Sequence, residues 1–93
     1  MAITLDKDPN TGLEMNGLYY RIDKINFNDS DFQVVLTGYA SESAYRNRAY
    51  PLIQPKAYTL QGFDKNELAN NNVYEFAYKY VKTMQGFENA KDA

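Results

Sequence analysis

Between residues 18 and 40 apolar and polar positions alternate with the period of two that marks a half-buried β-strand. Leu18, Tyr20 and Ile22 share one parity, Ile25 and Phe27 take the other, and Phe32, Val34, Leu36, Gly38 and Ala40 run on without a break. The two runs are joined by Asn28-Asp29-Ser30-Asp31, a polar loop of turn formers. Pairing outward from that loop sets Phe27 opposite Phe32 and Ile25 opposite Val34. One extra residue near Asp23-Lys24, a β-bulge, then sets Ile22 opposite Leu36 and Tyr20 opposite Gly38, which restores a single apolar face. Tyr20 is expected to cover the bare backbone of Gly38. The other face carries Tyr19, Arg21, Gln33 and Thr37 and reads as mostly polar, with Val35 and Tyr39 as exceptions.

The remaining segments attach to this hairpin. Ile3–Leu5 reads as a short edge strand or an arm within an extended stretch, residues 1–16, ended by the turn chemistry of Asp8-Pro9-Asn10-Thr11-Gly12. Glu42 and Arg46, spaced i,i+4, suit one helical turn. Pro51 and Pro55 keep the chain extended before a third strand over 56–61, where Tyr58 and Leu60 share a face. Asp64-Lys65-Asn66-Glu67 has capping-box spacing for a short helix or turn, which Asn70-Asn71-Asn72 breaks. Val73, Phe76, Ala77, Tyr80, Val81 and Met84 form one helical stripe, predicting a helix over 73–84 with Asn72 as its cap and Gly86 as a left-handed stop after which Phe87 folds back on the last turn. The expected architecture is α+β: a small antiparallel sheet, hairpin 18–40 plus strand 56–61, closed by one C-terminal helix, 73–84. Residues 17–93 form a single domain, and residues 1–16 the arm or edge strand.

Composition narrows the chemistry. The 93 residues include nine Tyr but no Cys, His or Trp, and the formal net charge is −2. The absences remove disulfides, thiolate or imidazole metal ligands, Cys nucleophiles and the Ser-His pair. The slightly acidic balance argues against a dedicated duplex-DNA or anionic-membrane binder. Leu, Ile, Val and Phe make up only about a fifth of the chain, near the level below which folding becomes marginal. Tyrosine burial compensates, and a partner surface can complete it. Met1–Leu5 is apolar, but Asp6-Lys7-Asp8 follows at once and leaves no signal-peptide core, and no stretch has the length of a membrane span.

Four places could carry function. Asp6-Lys7-Asp8-Pro9-Asn10-Thr11-Gly12 spaces oxygen ligands as a calcium loop begins, but Thr11 and Gly17 stand where such a loop needs Gly and a bidentate Glu, so it reads as a polar turn. Asp23, Asp29, Asp31, Asp64 and Glu67 could pair for acid–base work only inside a pocket, which a single small sheet hardly provides, and Ser41 and Ser43 have no base. Tyr45-Arg46-Asn47-Arg48-Ala49-Tyr50 interleaves arginine with aromatic residues; that pattern suits a protein interface or nucleic-acid stacking, and equally an ordinary loop. Tyr74 and Tyr78, spaced i,i+4, either widen the docking face of the helix or present an outer patch. The candidate interface residues are therefore Tyr45, Arg46, Arg48, Tyr50, Tyr74 and Tyr78, with no catalytic, cofactor or metal site.

Three stretches resemble a type of small structural protein of tailed bacteriophages, associated with tail, baseplate or neck. They are Val35-Leu36-Thr37-Gly38-Tyr39 running into Ser43-Ala44-Tyr45-Arg46; Tyr50-Pro51-Leu52 leading into Tyr58-Thr59-Leu60; and Phe76-Ala77-Tyr78-Lys79-Tyr80-Val81-Lys82 followed by Phe87-Glu88-Asn89-Ala90-Lys91-Asp92. The resemblance implies a virion component assembled in the host cytoplasm, without enzymatic activity or cofactor. Its expected partners are copies of itself and other virion proteins, with no membrane and no nucleic acid. In that setting residues 1–16 would add a strand to a neighbour's sheet. The alternative is a small phage-encoded binding protein acting on nucleic acid or a host factor.

Overall fold

The computed structural model describes residues 2–28, 31–61, 66, 69 and 72–93. The chain runs β1 (Ile3–Lys7), β2 (Glu14–Phe27), β3 (Asp31–Tyr39), α1 (Glu42–Arg46), β4 (Ile53–Gln61), α2 (Val73–Val81) and β5 (Lys91–Asp92). The strands form one five-stranded antiparallel sheet of order β4-β3-β2-β1-β5. The α+β class expected from the sequence is therefore the one found. Asn66 and Ala69 are helical; the rest of the capping-box segment at 64–67, and Asn70-Asn71, lie outside the described residues.

The hairpin register is the predicted one. Phe27 faces Phe32, Ile25 faces Val34, Ile22 faces Leu36 and Tyr20 faces Gly38, with the ladder shifting between Ile22 and Lys24. Asp23 is the extra residue, and its carboxylate accepts a hydrogen bond from the Thr37 hydroxyl across the bulge. The shift keeps Leu18, Tyr20 and Ile22 on the same buried face as Phe32, Val34 and Leu36. β4 starts three residues earlier than the predicted 56–61, and Pro55 falls where its register with β3 slips between Leu36 and Gly38. A proline is tolerated there because neither an edge strand nor a bulge requires every amide to enter the ladder.

The first strand differs from an arm reaching to a neighbour. β1 pairs with β2 on one side and with the two-residue β5 on the other, and Ile3 and Leu5 enter the core. Alternation in so short a run could not distinguish a strand completing its own sheet from one offered outward. β1 lies inside the sheet because the chain returns at Lys91–Asp92 to cover it, with the Ala93 amide donating to the Ala2 carbonyl at 3.0 Å.

Among the described residues, two groups cover the inner face. α2 places Phe76, Ala77 and Val81 on it, and the Phe76 ring lies 5.5 Å from Phe32 and 6.3 Å from Phe27 between centroids. Asn72 caps this helix, its side-chain oxygen accepting from the amides of Tyr74 (2.8 Å) and Glu75 (3.4 Å). The helix ends at Val81 rather than Met84, and turns carry the chain on to Gly86 at φ 91°. Phe87 then packs edge-on against Tyr20 and Tyr58, 5.7 Å from each, in the same core cluster as Val81.

Gly38 is a tight point. A Cβ built there would sit 2.7 Å from the Ile53 Cβ and 3.1 Å from the Tyr20 ring. Gly38→Ala is expected to destabilise the domain by about 1–3 kcal/mol through overpacking, read as a lower urea midpoint with an unchanged slope. Tyr78→Phe is expected to cost about 1 kcal/mol, because the Tyr78 hydroxyl accepts the buried Ile22 amide at 2.8 Å and ties α2 to β2.

Candidate functional site

The segment singled out for its arginines and aromatics is assembled by α1 and the turn after it. Ser41 caps α1, accepting from the Ala44 amide at 3.0 Å, and Glu42 holds Arg46 at 2.8 Å. At the other end the Arg48 amide donates to the Tyr45 carbonyl (3.1 Å) and the Ala49 amide to the Ala44 carbonyl (3.0 Å). This is the Schellman arrangement, with Arg48 in the left-handed position at φ 59° where glycine is usual. A non-glycine residue there costs about 1 kcal/mol or more.

Tyr45 turns back over the outer face of the sheet. Its ring meets Tyr39 (5.0 Å, edge-on) and Tyr19 (5.7 Å), and the Arg21 guanidinium sits 4.5 Å from its centroid. Tyr19 and Thr37, expected on a mostly polar outer face, are thereby among the buried residues. Two tyrosines on the nominally polar face, followed within a few residues by a third on a helical turn, were the sequence signal for this small second cluster. Tyr39, Tyr45, Arg46, Arg48 and Ala49 line a depression of about 370 Å³.

The six candidate interface residues separate. Tyr45 is half-buried in the outer cluster, Arg46 is occupied by Glu42, and Arg48 is exposed. Tyr50 is 96% exposed, and Leu52 beside it is 44% exposed. Tyr74 is exposed, whereas Tyr78 is buried at the α2–β2 junction. Of the two readings of the Tyr74/Tyr78 pair, Tyr78 widens the docking face and only Tyr74 remains outside.

The loop that resembled the start of a calcium site has a different use. Asp8 is fully buried and its two oxygens are spoken for by the protein itself. Oδ1 accepts from the Tyr20 hydroxyl at 2.5 Å; Oδ2 accepts from the Thr11 amide (2.7 Å), the Thr11 hydroxyl (2.8 Å) and the Asn10 amide (3.2 Å). Among the described residues no group of three or more acidic side chains is placed to hold a metal ion. From this anchor the loop reaches across to β4, where the Asn10 side-chain Nδ2 donates to the Tyr58 hydroxyl and Lys56 Nζ donates to Asn10 Oδ1 at 2.9 Å. Gly86 packs on Pro9 so closely that a Cβ would lie 2.4 Å from the proline ring. A groove of about 800 Å³ follows this seam, between the Asp6–Asn10 segment and the turn at 85–91.

No helix among the described residues is long and apolar enough to cross a membrane. Comparison of the chain with protein-family models, with curated proteins and with solved structures finds no match.

Burial by itself would raise the Asp8 pKa, but the hydrogen bonds from Tyr20, Thr11 and Asn10 outweigh it and hold the carboxyl below its ordinary value. The same burial and the same carboxylate push the Tyr20 hydroxyl far upward, so it remains a donor. A depressed carboxyl pKa stabilises the fold above the unfolded-chain value of about 4, and that contribution is lost as pH falls through the lower folded value. Asp8→Asn is expected to cost about 2 kcal/mol at neutral pH. The gap to the parent should narrow below about pH 4, as read from urea titrations across pH.

Proposed function

We propose that this chain is a non-enzymatic structural subunit of a tailed-bacteriophage particle, in the tail, baseplate or neck, acting through protein–protein contacts. The observation that carries this reading is Tyr50, a large ring left 96% exposed next to Leu52 on the connection entering an edge strand. Exposed rings flanked by an arginine in a left-handed turn are the kind of anchor that buries on a partner. The likeness of residues 35–46, 50–60 and 76–92 to small phage structural proteins points the same way. So does the lack of His and Cys, together with a buried carboxylate whose oxygens are all engaged in holding a loop.

The runner-up is a small phage-encoded binding protein acting on nucleic acid or a host factor, and its nucleic-acid form is weakened by the pairing of Arg46 with Glu42 and of Arg21 with the Tyr45 ring. Among the described residues of that segment this leaves Arg48 as the one arginine not engaged by a neighbouring side chain, where tracking a phosphate backbone takes several cations.

The reading predicts that the chain is present in purified particles of the virus whose genome encodes it, at a fixed stoichiometry that survives nuclease and high-salt washing. Quantitative mass spectrometry of banded particles measures this. Absence of the chain from intact particles, or its release with nuclease, would overturn it.

A further inference from the structure

The β1–β2 ladder is interrupted at an Asn-Gly pair, Asn16-Gly17. The strands pair at Leu5 with Leu18 and at Lys7 with Glu14, and the register shifts in between. Over that interval β1 supplies only Asp6, whereas β2 supplies Met15, Asn16 and Gly17. The surplus residues form a bulge in which Met15 and Asn16 are both exposed. Gly17 adopts a left-handed φ of 74°, and a Cβ built on it would meet nothing within 4 Å. Backbone conformation, not crowding, is therefore what glycine supplies there. Among the described residues no hydrogen bond engages the Asn16 side-chain amide. The Gly17 backbone amide is held, donating to Asp6 Oδ1 at 3.0 Å across the bulge.

An asparagine followed by glycine is open to attack from its own backbone, because no side chain shields the next nitrogen. The Gly17 nitrogen adds to the Asn16 side-chain carbonyl carbon. The N–Cγ bond forms, the Cγ–Nδ2 bond breaks, and ammonia leaves carrying the proton that the Gly17 amide gives up. Water then opens the cyclic imide at either carbonyl, leaving aspartate or isoaspartate. For this the nitrogen must lose its proton and come within reach of Cγ. Asp6 opposes both steps. A carboxylate is too weak a base to take an amide proton, so the hydrogen bond it accepts stabilises the protonated amide and fixes the nitrogen toward β1.

We propose that Asn16 is a self-deamidation site gated by Asp6, intact while Asp6 holds the Gly17 amide and converted when β1 draws away from the bulge. Strand ends open locally more often than a whole domain unfolds, so each opening of β1 exposes the site to conversion. The change is one-way. It adds a carboxylate to a bulge that already carries Asp6 and ends at Glu14, and like charges across a strand pair oppose its closing. The gate is independent of the structural-subunit reading.

The full chain is incubated at mildly alkaline pH, folded and in denaturant. Peptide mass spectrometry follows the mass gain of an amide-to-acid exchange and separates isoaspartyl from aspartyl peptides. Asn16 should convert about tenfold or more slowly in the folded parent than in the denatured one. Asp6→Ala, with folding checked by thermal melts, should recover most of that difference at Asn16 and leave the exposed Asn26 and Asn47 at their parental rates. Asp6→Asn, which keeps the shape and loses the charge, should also convert faster than the parent. A folded parent as fast as the denatured chain overturns the gate. So does either folded Asp6 variant that stays as slow as the parent, and so does a variant that quickens Asn26 and Asn47 as much as Asn16, which would be general loosening.

Discussion

The fold depends on a single extra residue. β2 carries apolar side chains on both parities, and without Asp23 the ladder would send Ile25 and Phe27 to the face opposite Leu18, Tyr20 and Ile22. With the bulge, one surface runs the length of the sheet, and a helix and a loop can share it. Thr37 fixes the geometry from the partner strand by donating to the Asp23 carboxylate, so the bulge is held by a side chain as well as by register. Twist increases at such a point.

That surface is too long for a helix of nine residues to cover. α2 closes the half near the hairpin tip with Phe76, Ala77 and Val81, while Phe87 and the Asp8 loop close the half around Tyr20 and Tyr58. The second closure is polar at its centre, and a buried carboxylate is costly unless every oxygen is engaged. Here a hydroxyl, two amides and a threonine side chain engage Asp8, which turns a loop of turn-forming residues into part of the core. Gly86 permits the final close approach because nothing larger fits against Pro9.

How much of this was legible follows from the range of the interactions. The hairpin register, its bulge, the Tyr20–Gly38 juxtaposition, the α1 turn and the Asn72 cap are local, and local patterning specified them. β1, the role of Asp8 and the destination of Phe87 depend on contacts between residues far apart in the chain, such as Ile3 with Asp92 and Tyr20 with Phe87. Asp8 sits among turn formers, where an exposed carboxylate is the ordinary outcome, and nothing within that stretch marks the Tyr20 hydroxyl as its partner. Among the candidate interface residues, the i,i+4 spacing of Tyr74 and Tyr78 left open which faced inward. The free Ile22 amide beyond the end of β1, which Tyr78 accepts, decided it. From the sequence Tyr45 reads as a surface ring, because its partners, Tyr19 and Tyr39, stand on a face of mostly polar residues.

The tyrosines explain why so thin an aliphatic core suffices. A phenylalanine contributes area only, whereas a tyrosine contributes nearly the same area and a hydroxyl that can reach the boundary of the next element. Tyr20 fastens β2 to the Asp8 loop, Tyr58 fastens β4 to Asn10 of the same loop, and Tyr78 fastens α2 to β2. Each tie crosses a junction that the sheet ladder does not span, so the rings pack the interior while their hydroxyls set the positions of the loop and the helix. Tyr50 and Tyr74 stand outside this scheme and are exposed. A ring left in water adds nothing to that scheme, so what holds the fold is not tyrosine content as such but the three hydroxyls that each cross a junction.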